Sequence, residues 1–325
     1  MDILPYQPRI GFTRTQRVRS MLQTPISLPQ TSSTNFNQNI QGQNQSNIQF
    51  KRNRQLRNSF SELPGFQLKN YQFQGTLGKG QFAKVYKAQR KSDGLIVAIK
   101  VYEKCFLNMM RKQNIQREIN ILNQLEHPNI IKLIEVVDNL RGINLIMEYG
   151  GDENLRDLSN RSESNIKQII RQMTRALNYL QSKQIIHRDL KLDNVLINNG
   201  VVKLIDFGFA VQTDGNKLSV FCGTPNYMAP ELLLKIVCYS YEVDMWALGI
   251  ILYHLIAIAY PFKGKNEQEL YACIKQGFYQ RPQSISELGF QFLDKLLTSN
   301  PRKRITAKEA LLHKWLIEPM IKYYD

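Results

Sequence analysis

Cysteine is scarce in this chain: four in 325 residues, at positions 105, 222, 238 and 273, with no pair at disulfide-framework or zinc-ligand spacing. That excludes a disulfide scaffold and a cysteine-rich metal knuckle, and reduced thiols in the cytoplasm or nucleus are the expected state. No apolar core of signal-peptide type stands near the N-terminus, so no secretory leader is expected. No internal repeat is evident. One run, residues 245–260 (MWALGIILYHLIAIAY), could pass for a membrane span, but its 16 residues fall short of the roughly 20 a bilayer requires. Asp244 precedes it and Pro261 closes it, so it reads as a buried core helix and no membrane span is expected.

Acid is scarce at the front. Residues 1–60 hold eight Lys or Arg against the single acid Asp2, and residues 23–50 hold no charge at all while 12 of the 28 are Gln or Asn. Such a segment buries too little apolar surface to offset its ordering entropy. Residues 1–65 therefore read as a disordered, basic, Gln/Asn-rich tail: either a solubilising leader or an arm that docks a partner. The whole chain has 43 Lys+Arg against 27 Asp+Glu, a formal charge of +16. That charge suits acidic partners in general without choosing among nucleotides, acidic proteins, nucleic acid and anionic membrane. No RNA- or DNA-binding motif appears and the tail lacks interleaved aromatics, so nucleic acid is not the expected partner.

The remainder is different in kind. The chain is 43% hydrophobic, enough for a sizeable core. YQFQGTLGKG and FAKVYKAQR read as two strands joined by glycines, and LIVAIKVY (95–102) as a buried strand. Residues 108–126 read as a helix with Ile115, Ile119 and Leu122 on one face and Glu118 among them. INLIME (143–148) is a further strand, and Ile166, Ile169, Ile170, Met173, Leu177 and Leu180 keep helical spacing. VLIN and VVKLIDF flank an Asn-Gly turn at 199–200, a hairpin signal. A strand-rich part thus precedes a helix-rich one, which predicts two lobes with a cleft between them.

Four short motifs carry the chemistry. In LGKGQFAKV (77–85) a glycine turn between strands lets backbone N–H groups approach phosphate oxygens. It is neither a dinucleotide fingerprint nor a Gly-Lys-Ser/Thr loop, and alone it is weak. Lys100 closes VAIK on the buried strand; unless it is an edge-strand surface lysine it needs a counter-ion, which Glu118 can supply. HRDLKLDN (187–194) is either a polar turn or a reaction centre. In the second case Asp189 can orient or deprotonate a hydroxyl, Lys191 can neutralise a phosphoryl group in flight, and Asn194 can offer its amide oxygen to a metal. Asp206 of DFG (206–208) is a hard oxygen donor suited to Mg²⁺.

In this order the four motifs resemble the eukaryotic protein kinase family over roughly residues 71–317, with APE (229–231), Asp244 and Gly249 of DMWALG, and Arg304 extending the match. The resemblance implies an α+β bilobal fold. A small lobe of about five antiparallel strands and one main helix (about 66–148) would precede a larger helical lobe (about 151–318), with 319–325 a C-terminal tail. It implies ATP and Mg²⁺ as cofactors and protein substrates as partners. ATP would lie against Leu77, Gly78, Lys79, Gly80, Val85, Ala98, Met147 as gatekeeper, Glu148 to Gly150 as hinge, and Leu196. Lys100, paired with Glu118, would hold the α- and β-phosphates. Asp189 would be the catalytic base, Asn194 and Asp206 the metal ligands, and Glu231–Arg304 a structural bridge. His187, Phe207, Leu122 and Leu133 would stack into a spine between the lobes, and Asp244 would hold the HRD backbone.

Lys191, and Thr224 in GTPNY with its hydroxyl reaching the Asp189–Lys191 pair, are of the serine/threonine type. GKGQFAKVY and CGTPNYMAPE resemble polo-like kinases, whereas KLIDFGFA, GNKL and FCG resemble the calmodulin-dependent and AMP-activated group; both stay open. The third loop glycine is replaced by Ala83, and the usual phosphorylated threonine by Val220. Either Ser219 is phosphorylated instead, by an upstream kinase or by the chain itself, and gripped by Arg188, or apolar packing of Val220 and Phe221 holds the loop. Asp152, Glu153 and Asp193 predict a preference for basic residues near the acceptor, and Ser59 in RQLRNSF is a candidate autophosphorylation site. The rival reading is a pseudokinase scaffold that binds nucleotide without transfer; the presence of Lys100, Asp189 and Asp206 together argues against it.

Overall fold

Lys100 lies in the middle of a sheet whose register decides what shares the cleft. The computed structural model describes residues 68–80, 83–213, 222–234 and 239–317. The expectations on residues 1–65, Ser59, Ser219, Val220, Phe221 and 319–325 lie outside these. Residues Met1–Asn58 and Ser59–Asp325 are separate units, and every element below belongs to the second.

Five antiparallel strands form the first sheet: β1 (Tyr71–Lys79), β2 (Lys84–Arg90), β3 (Ile96–Glu103), β4 (Leu133–Asp138) and β5 (Gly142–Glu148), in the order β1-β2-β3-β5-β4. The β-branched run of β3 is buried from Val97 to Tyr102, as suits a central strand covered on both faces. Val85 stands opposite Lys100, and Lys100 opposite Leu145; Lys87 stands opposite Ala98, and Ala98 opposite Met147. Cross-strand partners share a face, so these residues look the same way, and Tyr102 joins them by the period of two.

Helix α1 (Met109–Leu122) packs beside the sheet. Asn108 caps it, its side chain accepting from the Arg111 N–H at 2.9 Å. The helix expected through residue 126 stops at Leu122. Its end tightens into i→i−3 bonds, Gln124 N to Ile121 O at 3.0 Å and Leu125 N to Leu122 O at 3.2 Å, ahead of His127-Pro128. Proline disfavours helical geometry in the residue before it.

The second lobe is built on α2 (Glu163–Ser182) and α3 (Glu242–Ala257). Helix α3 is the apolar run that resembled a span; it is buried from Val243 to Leu255. It starts three residues before the expected Met245 and ends at Ala257, where Ile258 turns left-handed (φ 53). No described helix is long and apolar enough to cross a membrane. Gly249 is required here: a Cβ would stand 2.8 Å from Leu297 Cδ2 and 2.9 Å from Leu296 Cβ. Its absence lets α3 approach α5 (Glu287–Leu296). The remaining helices are α4 (Glu267–Gln276), α6 (Ala307–Leu311) and α7 (Lys314–Ile317).

Short strands carry the residues between the lobes. β8 (Val195–Asn198) and β9 (Val201–Leu204) form the expected hairpin, with Asn199 (φ 49) and Gly200 (φ 76) both left-handed as a primed turn requires. β6 (Glu153–Asn154) pairs with β8, and β7 (Ile185–Ile186) with β10 (Val211–Gln212). The strand VVKLIDF ends at Leu204, because Asp206 adopts φ 60 and breaks the extended path.

A buried ion pair and a buried carboxylate that accepts two backbone N–H bonds fix the second lobe. Arg304 grips Glu231 through two bonds of 2.6 and 2.9 Å, and also donates to the carbonyls of Glu242 (2.7 Å) and Thr298 (3.0 Å). Asp244 accepts from the N–H groups of His187 (2.8 Å) and Arg188 (2.9 Å). These bonds hold Arg188 at φ 68, a conformation that is strained for a non-glycine residue.

Candidate active site

The shared face of the sheet roofs a cavity of about 280 Å³. Leu77, Gly78, Val85, Ala98, Lys100, Glu118, Met147, Glu148, Gly150, Leu196 and Asp206 all line it, as does Asn194 from below. Lys79 and Gly80 do not: Lys79 ends β1 opposite Lys84, and the Gly80 N–H turns to the Ala83 carbonyl at 2.8 Å. Tyr149 lines the cavity within the expected hinge; sequence reasoning missed Ile131, Gly151 and Asn154, which also line it, and did not connect Asp152 or Asp193 with it.

Lys100 Nζ lies 2.7 Å from Glu118 Oε1 and 2.9 Å from Asp206 Oδ1. Burial alone would lower the lysine's pKa, but the two carboxylates outweigh it and hold the ammonium well above its usual value. Asp206 shows the mirror effect: burial pushes it up, and Lys100 holds it below the usual aspartate value. Protein crowds Asp206, yet its side chain remains 41% exposed, open to the cleft. Glu118 has a second partner that the sequence reading missed. Tyr102 O–H donates to Oε2 at 2.6 Å.

The second cluster lies on the loop between β7 and β8. Asp189 Oδ1 accepts from the Thr224 hydroxyl at 2.8 Å, and Oδ2 accepts from Lys191 Nζ at 2.6 Å and Asn194 Nδ2 at 3.0 Å. Lys191 also reaches Thr224 Oγ1 at 3.3 Å. Asn194 Nδ2 bonds the Asp189 carbonyl at 2.9 Å as well, which fixes the amide plane. His187 and Phe207 meet edge to face with centroids 4.9 Å apart; Phe207 and Leu122 belong to one buried core, against which half-buried Leu133 packs. Arg188 donates to the Phe209 carbonyl at 2.7 Å and to Tyr239 at 3.3 Å.

Further contacts tie this region together. Lys87 bonds Tyr149 O–H at 2.8 Å and Asp152 at 3.1 Å, across the mouth of the cavity. Gln124, just past α1, and Gln212 of β10 exchange two amide bonds, 3.2 and 3.3 Å.

The Lys100–Glu118–Asp206 chain lines the cleft, and the Asp189–Lys191–Asn194–Thr224 cluster joins it through Asn194, the one member of the four that lines the cavity. The model described as "Protein kinase domain" matches residues 71–316. The chain belongs to the protein kinase family. It is 38% identical over 255 residues to "Serine/threonine protein kinase OSK3" and "Serine/threonine protein kinase OSK4" of Oryza sativa subsp. indica. The OSK3 protein of Oryza sativa subsp. japonica matches to the same degree. In each case the match covers 76% of this chain and 50% of the relative, so the chain spans about half the length of the curated relatives it matches.

Proposed function

We propose that the chain is an ATP-dependent serine/threonine protein kinase that transfers the γ-phosphoryl group of ATP to Ser and Thr hydroxyls of protein substrates. One observation carries the reading: Lys100, Glu118 and Asp206 converge on the same cleft as Asn194, whose amide is held by Asp189. Lys100 would hold the α- and β-phosphates, with Glu118 and Tyr102 keeping its ammonium in place. Asp189 would orient the acceptor hydroxyl and take its proton. Lys191 would offset charge on the phosphoryl oxygens, and Thr224 would fix the second Asp189 oxygen.

Asp206 and Asn194 fit Mg²⁺. One carboxylate turned to the cleft and one amide oxygen make a sparse, hard oxygen set, and this ion takes most of its other ligands from phosphate and water. Among the described residues no group of three or more His, Cys, Asp or Glu could hold a metal, which suits an ion brought in with the nucleotide. When bound, the ion would neutralise charge on the β- and γ-phosphates.

Two further proposals keep their sequence basis. The thiols of Cys105, Cys222 and Cys273 are free, which supports a cytoplasmic or nuclear location. Activation through Ser219 and docking through the N-terminal tail rest on residues outside those described. The preference for basic residues near the acceptor rests on Asp152, Glu153 and Asp193: Glu153 is exposed, Asp152 pairs with Lys87 at 3.1 Å and Asp193 with Arg156 at 2.7 Å.

The test is incubation of the pure protein with ATP, Mg²⁺ and a Ser/Thr peptide library beside the Asp189→Asn variant. Transfer is expected from the wild type and lost in the variant. Nucleotide binding with no transfer by the wild type would favour the pseudokinase reading.

A further inference from the structure

Lys87 reaches from the sheet of the small lobe past the hinge. On β2 it lies two residues beyond Val85, which lines the cavity, and it stands opposite Ala98, which also lines it. The period of two therefore puts its side chain on the cleft side of the sheet. Its ammonium donates to the Tyr149 hydroxyl at 2.8 Å and to Asp152 Oδ2 at 3.1 Å, and lies 4.2 Å from the centre of the Tyr149 ring.

The carboxylate it meets belongs to the second lobe. Asp152 immediately precedes β6, where Glu153 pairs with Ile197 of β8. Two glycines press this segment onto the β8–β9 hairpin. A Cβ on Gly150 would stand 2.9 Å from Leu196 Cδ1, and one on Gly151, at φ 114, 3.0 Å from Asn198 Cβ. Tyr149 and Asp152 themselves line the cavity. The covalent hinge and the Lys87–Asp152 pair thus join the lobes side by side at the mouth of the cavity, and the lobes cannot part there while the pair holds.

The pair is partly shielded. The Lys87 side chain is 28% exposed, with the Tyr149 ring against it. The Tyr149 hydroxyl first, then Asp152, raises the lysine pKa; Tyr149 first, then Lys87, holds Asp152 below its usual value. Other charges nearby do not compete for Lys87. Glu148 pairs with Lys203 and Asp193 with Arg156, each at 2.7 Å. Glu153, next in sequence and exposed, has the same sign as Asp152 and does not oppose the pair.

We propose that Lys87, Tyr149 and Asp152 form a strap between the lobes that sets how fast nucleotide leaves the cleft. Lys87 acts by holding the lobes together, so it is a positioning residue. This rests on the kinase reading above and goes beyond it.

The test follows release of a fluorescent ADP analogue, mant-ADP with Mg²⁺, by stopped flow after mixing with excess ADP. It compares the full chain with Lys87→Met, Asp152→Asn and the double variant. Each single variant should release the probe about threefold faster, the scale of one partly exposed ion pair. The double variant should release it no faster than the singles, because the same pair is lost in each. The ratio of variant to wild-type rate should fall toward one as salt rises to about 1 M, since salt weakens the pair only where it exists. Exchanging the charges, Lys87→Asp with Asp152→Lys, should restore slow release. Unchanged release in both single variants overturns the proposal, and so do single effects that multiply in the double variant. A lower Tm with unchanged release makes the pair structural only and overturns it as well. Should Lys87→Met fail to fold, Asp152→Asn and its salt ratio decide alone. A wild type that binds no mant-ADP removes the kinase reading; one that binds it and releases it at the rate of every variant removes the strap and leaves that reading standing.

Discussion

Tyr102 and Lys100 hold the two oxygens of one carboxylate: Glu118 Oε2 accepts from the Tyr102 hydroxyl at 2.6 Å and Oε1 from Lys100 at 2.7 Å. Glu118 is 2% exposed, so water has little access to either oxygen. Burial, together with the Glu118 charge, pushes the Tyr102 hydroxyl up, which keeps it a donor. Tyr102→Phe removes that donor and keeps the ring. It should cost about 1–3 kcal/mol, the penalty for an unmet buried acceptor. The same change should raise KM for ATP more than it lowers kcat, because Lys100 loses its brace. Urea unfolding and steady-state kinetics measure both; an unchanged unfolding midpoint would mean that Oε2 finds another donor.

The Lys100–Asp206 pair predicts a pH dependence. Burial raises the Asp206 pKa, but Lys100 outweighs it and leaves the folded value below that of an ordinary aspartate. A depressed carboxylate contributes stability that is present above the unfolded pKa and lost as pH falls through the folded one. Lys100→Met removes the cation and leaves burial in control. The wild type's advantage in Tm over this variant should therefore grow from about pH 3 to about pH 7. An advantage that stays constant across that range would count against the pairing.

Glu231→Gln tests the buried bridge. The Arg304 side chain is fully buried and that of Glu231 2% exposed, so the variant leaves a guanidinium without its counter-charge. Removing one partner of such a pair costs about 3–5 kcal/mol. The loss should appear as a lower urea midpoint with the m-value unchanged. A loss below about 1 kcal/mol, the range of surface pairs, would mean the bridge is solvated in solution.

Motifs made the site legible because their spacing is enforced by backbone paths. The turn after β7 brings Asp189, Lys191 and Asn194 into one cluster within six residues, so adjacency in sequence is adjacency in space. Glu118 was readable from its place on the apolar face of α1. Tyr102 was also within reach, since it lies two residues beyond Lys100 on the same face of β3. Arg156 was not: it is 37 residues from Asp193, and only the pairing of β6 with β8 brings their turns together. The helix ends differed for local reasons, tightened bonds after Leu122 and a left-handed Ile258 after Ala257, which periodicity does not report.

The reciprocal amides of Gln124 and Gln212 couple the end of α1 to the segment that follows Asp206. Neither group carries charge or titrates, so the latch should hold with equal strength in dilute buffer and in concentrated salt, where the exposed Lys87–Asp152 clasp slackens. Raising ionic strength should thus loosen the mouth of the cleft while the helix that carries Glu118 stays in step with the strand beneath it.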